Sequence, residues 1–90
     1  MKIKKYLENY NLSHKRAFVI GGSGQIGSEV INALLECNAH VFSFDTKKLN
    51  IKNSNFTHQF FDCKKLNFIE KNLNKFVKKF GCPDILINTS

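Results

Sequence analysis

Tryptophan is absent from this 90-residue sequence, and proline (one), methionine (one), cysteine (three) and glycine (five) are scarce. So few glycines and prolines exclude collagen-like and linker-like chains. No apolar run approaches the roughly 18–20 residues of a membrane-spanning helix. The opening Met1-Lys2-Ile3-Lys4-Lys5-Tyr6-Leu7-Glu8 is basic but lacks the apolar stretch of a secretory signal, so a cytoplasmic protein is expected. Cys37, Cys63 and Cys82 are isolated and form no C-x-x-C pair, which points to reduced structural thiols rather than a disulfide framework. His14, His40 and His58 show no metal-ligand spacing, and no metal site is expected.

Acids are also few. Seven Asp and Glu face fourteen Lys and Arg, giving a net charge of +7. Such a balance invites a nucleic-acid reading. The lysines are scattered from Lys2 to Lys79, however, among eleven asparagines, a pairing that A-rich codons alone would produce. A solvated basic surface is expected, with no nucleic-acid and no membrane partner. What is present is ordinary globular material: 42% hydrophobic residues with nine Phe, too apolar for a disordered chain.

Periodicity organises the chain. Ile3, Tyr6, Leu7 and Tyr10 have helical spacing, predicting an amphipathic arm within residues 1–14 that closes on a polar turn at Ser13–Arg16. Residues 17–20 are wholly apolar and stop at a glycine cluster, as a strand buried on both faces would. Ile26, Val30, Ile31, Leu34 and Leu35 then predict a helix over about 24–37, with Asn38 as its left-handed terminator. A second strand is predicted at 40–45 and a third at 56–62. The intervening residues 46–55 read as loop, with room for a helical turn near 47–51. Leu66, Ile69, Leu73, Phe76, Val77 and Phe80 form one helical stripe, stopped by Gly81 and Pro83, and 84–88 is a fourth strand. This alternation predicts an α/β fold with a parallel, doubly wound sheet and a single domain.

Gly22-Ser23-Gly24-Gln25-Ile26-Gly27 matches G-x-G-x-x-G between a predicted strand and a predicted helix, with Asp45 about twenty residues on. Glycine permits the tight turn, lets a pyrophosphate approach the backbone, and lets helix and strand pack closely. The unpaired amides of the first helical turn then point at the phosphates. Asp45 at a strand end suits a ribose diol and repels a 2′-phosphate. NAD is therefore expected over NADP, although Lys47 and Lys48 lie near enough to weaken that preference.

Here the sequence resembles the short-chain dehydrogenase/reductase family. Ile20-Gly21-Gly22-Ser23-Gly24-Gln25-Ile26-Gly27 is similar to its T-G-x-x-x-G-I-G, with Ile20 in place of Thr and Gln25 in place of the middle Gly. Asp62-Cys63 falls where the family has Asp-Val or Asp-Leu. Residues 80–90 resemble F-G-x-x-D-I-L-V-N-N-A-G without its last glycine. The resemblance covers residues 15–90 and implies a Rossmann-like sheet of about four strands in the order 3-2-1-4. It implies Gly21, Ser23, Gln25, Ile26 and Gly27 on the diphosphate and ribose, Asp45 on the ribose, Asp62 and Cys63 beside the adenine, and Asn88 beneath the cofactor.

Two features depart from the family. Only about ten residues join the second and third strands, where a full helix is usual. The catalytic half is also missing. The family uses a Tyr activated by a Lys four residues later, and a Ser that orients the carbonyl. This chain has only Tyr6 and Tyr10, both before the glycine turn, and His14 stands four residues after Tyr10. The expectation is the amino-terminal cofactor-binding part of an NAD-dependent oxidoreductase, as a truncated product or a piece of a longer chain. Its parent would be homo-oligomeric, and these residues alone would be inactive. Gly21, Gly24 and Gly27 equally fit G-x-x-G-x-x-G of extended nucleotide-sugar epimerases and dehydratases. A non-catalytic NAD-binding module is a further alternative. Ile85-Leu86-Ile87 is expected at an apolar sheet edge.

Overall fold

The computed structural model describes residues 11–21, 24–62 and 66–89 and, of residues 66–70, the backbone alone. The elements run β1 (Arg16–Ile20), α1 (Gln25–Glu36), β2 (His40–Asp45), β3 (Phe56–Phe60), α2 (Leu66–Phe80) and β4 (Ile85–Asn88). The four strands form one all-parallel sheet in the order β3-β2-β1-β4, a Rossmann-like arrangement. The expected arm falls mostly on residues 1–10, outside the described residues. Its end, Leu12, packs on the core, and its amide donates to the Cys37 carbonyl at 2.7 Å.

β1 is central, which explains its unalternated apolar run. Its Ala17 and Val19 join Ile31 and Leu35 of α1 in one buried cluster; Phe18 and Ile20 join Phe44, Phe61 and Phe76 in another. Strand side chains alternate between faces, so a strand covered by a helix on each side must be apolar throughout. The second cluster is aromatic. Phe44 stacks on Phe76 at 4.8 Å between centroids and meets Phe18 edge-on at 4.9 Å, both within the preferred range for ring pairs.

Both helix ends follow the expected chemistry. Asn38 has φ 69°, its amide donates to the Leu35 carbonyl, and the Ala39 amide donates to the Leu34 carbonyl. This is the double bond of a Schellman motif. α2 carries Lys78 and Lys79 in its last turn, which complement the negative helix end, and stops at Gly81, with φ 93°.

Four local expectations are corrected. Residues 47–51 form no helix. On a helix Leu49 and Ile51, two residues apart, would point about 160° away from each other. Leu49 and Ile51 instead lie against the first cluster. β3 ends at Phe60 rather than residue 62, because its neighbour among the described residues, β2, ends at Asp45 and Asp45↔Phe60 is the last pair. Ile26 is 71% exposed rather than part of the buried stripe, which is Gly27, Ile31 and Leu35. At 3.6 residues per turn Ile26 lies about 140° round the helix from Ile31. Arg16 belongs to β1 rather than to the preceding turn, which the structure places at Ser13–His14.

Candidate functional site

The site is assembled at the carboxyl end of the sheet, where β1 passes into α1. Gly21 leaves β1 at φ 78°, a conformation that favours glycine, and its amide donates to the Phe44 carbonyl at 2.9 Å. Gly24 is the N-cap of α1 and supplies no side-chain cap, and the first turn of the helix contains no acid. The first intrahelical bond comes from the Ser28 amide to the Gly24 carbonyl at 2.8 Å. The amides of Gln25, Ile26 and Gly27 therefore have no acceptor within the helix, and the positive end of its dipole meets no carboxylate of its own. Such an end is suited to an anion.

The glycines have different tasks. Gly27 is buried on the same helix face as Ile31 and Leu35, where a missing side chain brings α1 close to the sheet. Gly24 has φ −70°, which any residue adopts. Among the described residues, a Cβ built on it would meet only the Gly21 carbonyl oxygen, at an ordinary 3.8 Å. The fold itself thus does not require glycine at 24. Among the described residues, the space its missing side chain leaves is open to an anion approaching the α1 amides.

The other expected positions surround the turn. Asp45 ends β2, half-buried, and its Oδ1 accepts hydrogen bonds from the Lys47 amide at 3.2 Å and the Thr46 hydroxyl at 3.3 Å. The carboxylate is therefore held by its own loop. Lys47 and Lys48 beside it are exposed. Asp62 is half-buried just past β3 and lines a shallow groove of about 320 Å³ with Gln59, Phe60, Phe61, Asn72, Lys75 and Phe76. Asn88 ends β4 opposite Ile20, the last residue of β1. Gly21, Gly24, Gln25, Ile26, Gly27, Asp45, Asp62 and Asn88 thus all lie toward the carboxyl ends of the strands. Ser23 and Cys63 lie outside the described residues.

One residue escaped sequence reasoning. The Thr89 hydroxyl is shared between the Gly21 carbonyl at 2.8 Å and the Ile20 carbonyl at 3.0 Å, and the Thr89 amide donates to Ile20 at 2.9 Å. It pins the glycine turn to β4 from 68 residues away. The available signal was its place directly after the strand that pairs with β1. At the opposite end of the same pair, the Asp84 carboxylate accepts from the Arg16 amide at 2.9 Å, and the Asp84 amide donates to the Arg16 carbonyl at 2.8 Å.

Among the described residues no group of three His, Cys, Asp or Glu side chains could hold a metal ion. Nor, among them, is any helix long and apolar enough to cross a membrane. Cys37 is buried and Cys82 exposed, and neither is in a disulfide. Burial, and secondarily the charge of Glu36, push the Cys37 thiol above its ordinary pKa.

A parallel sheet in the order 3-2-1-4, with a glycine turn leading from its first strand into its first helix, defines a Rossmann-like fold. No family model matches the sequence, and no curated protein matches it. Among solved structures it is similar to a short chain dehydrogenase from Leptospira borgpetersenii serovar Hardjo-bovis (strain JB197), crystallised with bound NAD+. The TM-score is 0.74 and the identity 29%, over 90% of this chain and 32% of that one. The chain thus spans about a third of the protein it resembles.

Proposed function

We propose that this chain binds NAD as the amino-terminal, cofactor-binding part of an NAD-dependent oxidoreductase of the short-chain dehydrogenase type. Residues 15–90 form the binding unit, and residues 1–14 precede it. One observation carries the reading: an α1 N-terminus without a side-chain cap, fronted by the open position at Gly24, with Asp45 ending the neighbouring strand. The likeness to a dehydrogenase holding NAD+ supports it. When bound, NAD supplies the nicotinamide that exchanges hydride with an alcohol or carbonyl compound. The chain's own part is to hold the diphosphate on the amides of Gln25, Ile26 and Gly27. Gly21 and Ser23 shape the turn, Asp45 takes the ribose, Asp62 and Cys63 border the adenine, and Asn88 lies beneath the cofactor. These 90 residues contain no Tyr-x-x-x-Lys, so no alcohol is turned over by them alone.

Calorimetry with NAD and NADP tests this reading. NAD should bind more tightly, because the Asp45 carboxylate repels a 2′-phosphate. Asp45→Asn keeps an oxygen for the Lys47 amide but removes the charge, leaving Lys47 and Lys48 to attract the phosphate, so the preference should shrink or reverse. Absence of NAD binding overturns the reading. An unchanged preference in the variant removes Asp45 from its role.

A further inference from the structure

We infer that the outer edge of β3, flanked by a row of lysines on α2, takes up an extended acidic segment of another protein as an added strand. The inference does not depend on the cofactor reading. Among the described residues β3 pairs with β2 alone, so its other edge is open. The Phe61 amide donates to the Asp45 carbonyl of β2 at 3.2 Å. Successive amides of a strand point to opposite sides, so those of His58 and Phe60 point to the open edge. Such an edge is a template for a partner strand. The Gln59 side-chain amide, which donates to the Phe60 carbonyl at 3.2 Å, must swing aside to admit it.

Charge selects the partner. Lys71, Lys75, Lys78 and Lys79 are all exposed, and residues 71–83 contain no acid. At 3.6 residues per turn the four fall within about 100° of one another on the helix. Their flank is turned toward β3. The Lys79 ammonium donates to the Gln59 side-chain oxygen at 3.3 Å, and Lys75 shares the groove at the end of β3 with Phe60 and Asp62. Lys71, Lys75 and Lys79 recur about every 6 Å along α2, and alternate residues of a strand are about 6.6 Å apart. Acids at every second position of an added strand therefore keep step with the lysines. Asp62, the acid of that groove, offsets a single charge.

The other face of the added strand meets an apolar surface. Phe56 pairs with Val41 and packs with it on the first cluster, so Phe56, His58 and Phe60 share the α1 side of the sheet, opposite Gln59. Phe60 is 64% exposed there, and an apolar residue of the partner would cover it. The edge thus fits a segment in which acidic and apolar residues alternate. A second copy is rejected, because antiparallel pairing of two β3 edges brings their lysine rows together. Residues 1–10 of this chain, with three lysines and one acid, are mismatched for the same reason.

Fluorescence anisotropy with a labelled peptide of alternating Glu and Val tests this. The comparisons are a peptide of the same composition with its Glu and Val in separate blocks, and single-stranded oligothymidylate. The alternating peptide should bind, weaken as salt is raised, and slow hydrogen exchange at the His58 and Phe60 amides followed by NMR. Reversing two charges, Lys75→Glu with Lys79→Glu, should weaken it about tenfold or more at low salt. The melting temperature should hardly change, because both side chains are exposed. Absence of binding, equal binding of the blocked peptide, tighter binding of the oligonucleotide, or unchanged affinity in the double variant overturns the inference. So does protection of the His58 and Phe60 amides before any peptide is added. Should the double variant fail to fold, the exchange pattern of the unaltered protein decides alone.

Discussion

Gly24→Ala separates two reasons for a glycine in this turn. If the fold needed it, substitution would destabilise the protein; if the ligand needs it, substitution would spare the fold and damage binding. The geometry distinguishes these. At φ −70° and ψ 168° Gly24 occupies extended backbone open to any residue, and among the described residues an added Cβ has only the Gly21 oxygen near it, at 3.8 Å. Alanine restricts the unfolded chain and so stabilises by about 0.4–1 kcal/mol. Alanine is also a poorer N-cap than glycine, by roughly 0.5–1 kcal/mol. These opposing contributions nearly cancel. With about 4–8 °C per kcal/mol for a domain of this size, the melting temperature should stay within about 5 °C of the unaltered protein's. Binding should respond differently. In the proposed complex a methyl group at position 24 would hold the diphosphate off the α1 amides, and a hydrogen bond to a charged group contributes about 1.5–3 kcal/mol. Loss of even one weakens NAD at least about tenfold. Circular-dichroism melting and calorimetry on one preparation read both quantities. A fall in melting temperature beyond about 10 °C would refute the reasoning about the fold, and unchanged NAD affinity would refute the reasoning about the cradle.

Gly81→Ala should behave oppositely, because Gly81 sits at φ 93° and a Cβ there would come within 3.0 Å of Arg16 Nε. The exposed Arg16 side chain can give way, but the backbone strain of about 1–3 kcal/mol remains, so melting should drop by about 5–20 °C; a neutral result would show that the α2 terminus relaxes. Ser43 is fully buried and its hydroxyl has no hydrogen-bond partner among the described residues. Ser43→Ala should therefore be neutral or stabilising by up to about 1–3 kcal/mol, and clear destabilisation in denaturant titration would reveal a partner for that hydroxyl. Iodoacetamide at mildly alkaline pH should label Cys82 well before Cys37, because Cys37 is buried and its raised pKa leaves less thiolate at any given pH. Peptide mass mapping with Cys37 labelled first would contradict this.

The parts of this protein legible in its sequence are those written in short-range pattern. The apolar run before the glycines, the Leu73–Phe80 part of the stripe along α2 (the side chains of Leu66 and Ile69 lie outside the described residues), and Asn38 and Gly81 at helix ends all follow from neighbours within a few residues. Such features depend on local dihedral preference and on a helix or strand period, and both can be read along the chain. The places of Gly21 at a strand-to-helix turn and of Asp45 at the end of β2 were legible for the same reason, since strands, a turn and a helix in succession define them.

Tertiary structure alone decided the remainder. Ile26 looked like a core position until Gly27 took the face against the sheet. The connection at 46–55 forms no helix, and its Leu49 and Ile51 turn onto the first cluster, a surface that only the assembled sheet provides. Thr89 reaches the glycine turn, and Phe60 comes to lie opposite Asp45, only once β4 and β3 have taken their places on either side of β1 and β2. These contacts join residues far apart in sequence, where no periodicity links them. Parallel strands bring their carboxyl ends together whatever lies between, so the site is a product of strand order rather than of any one segment.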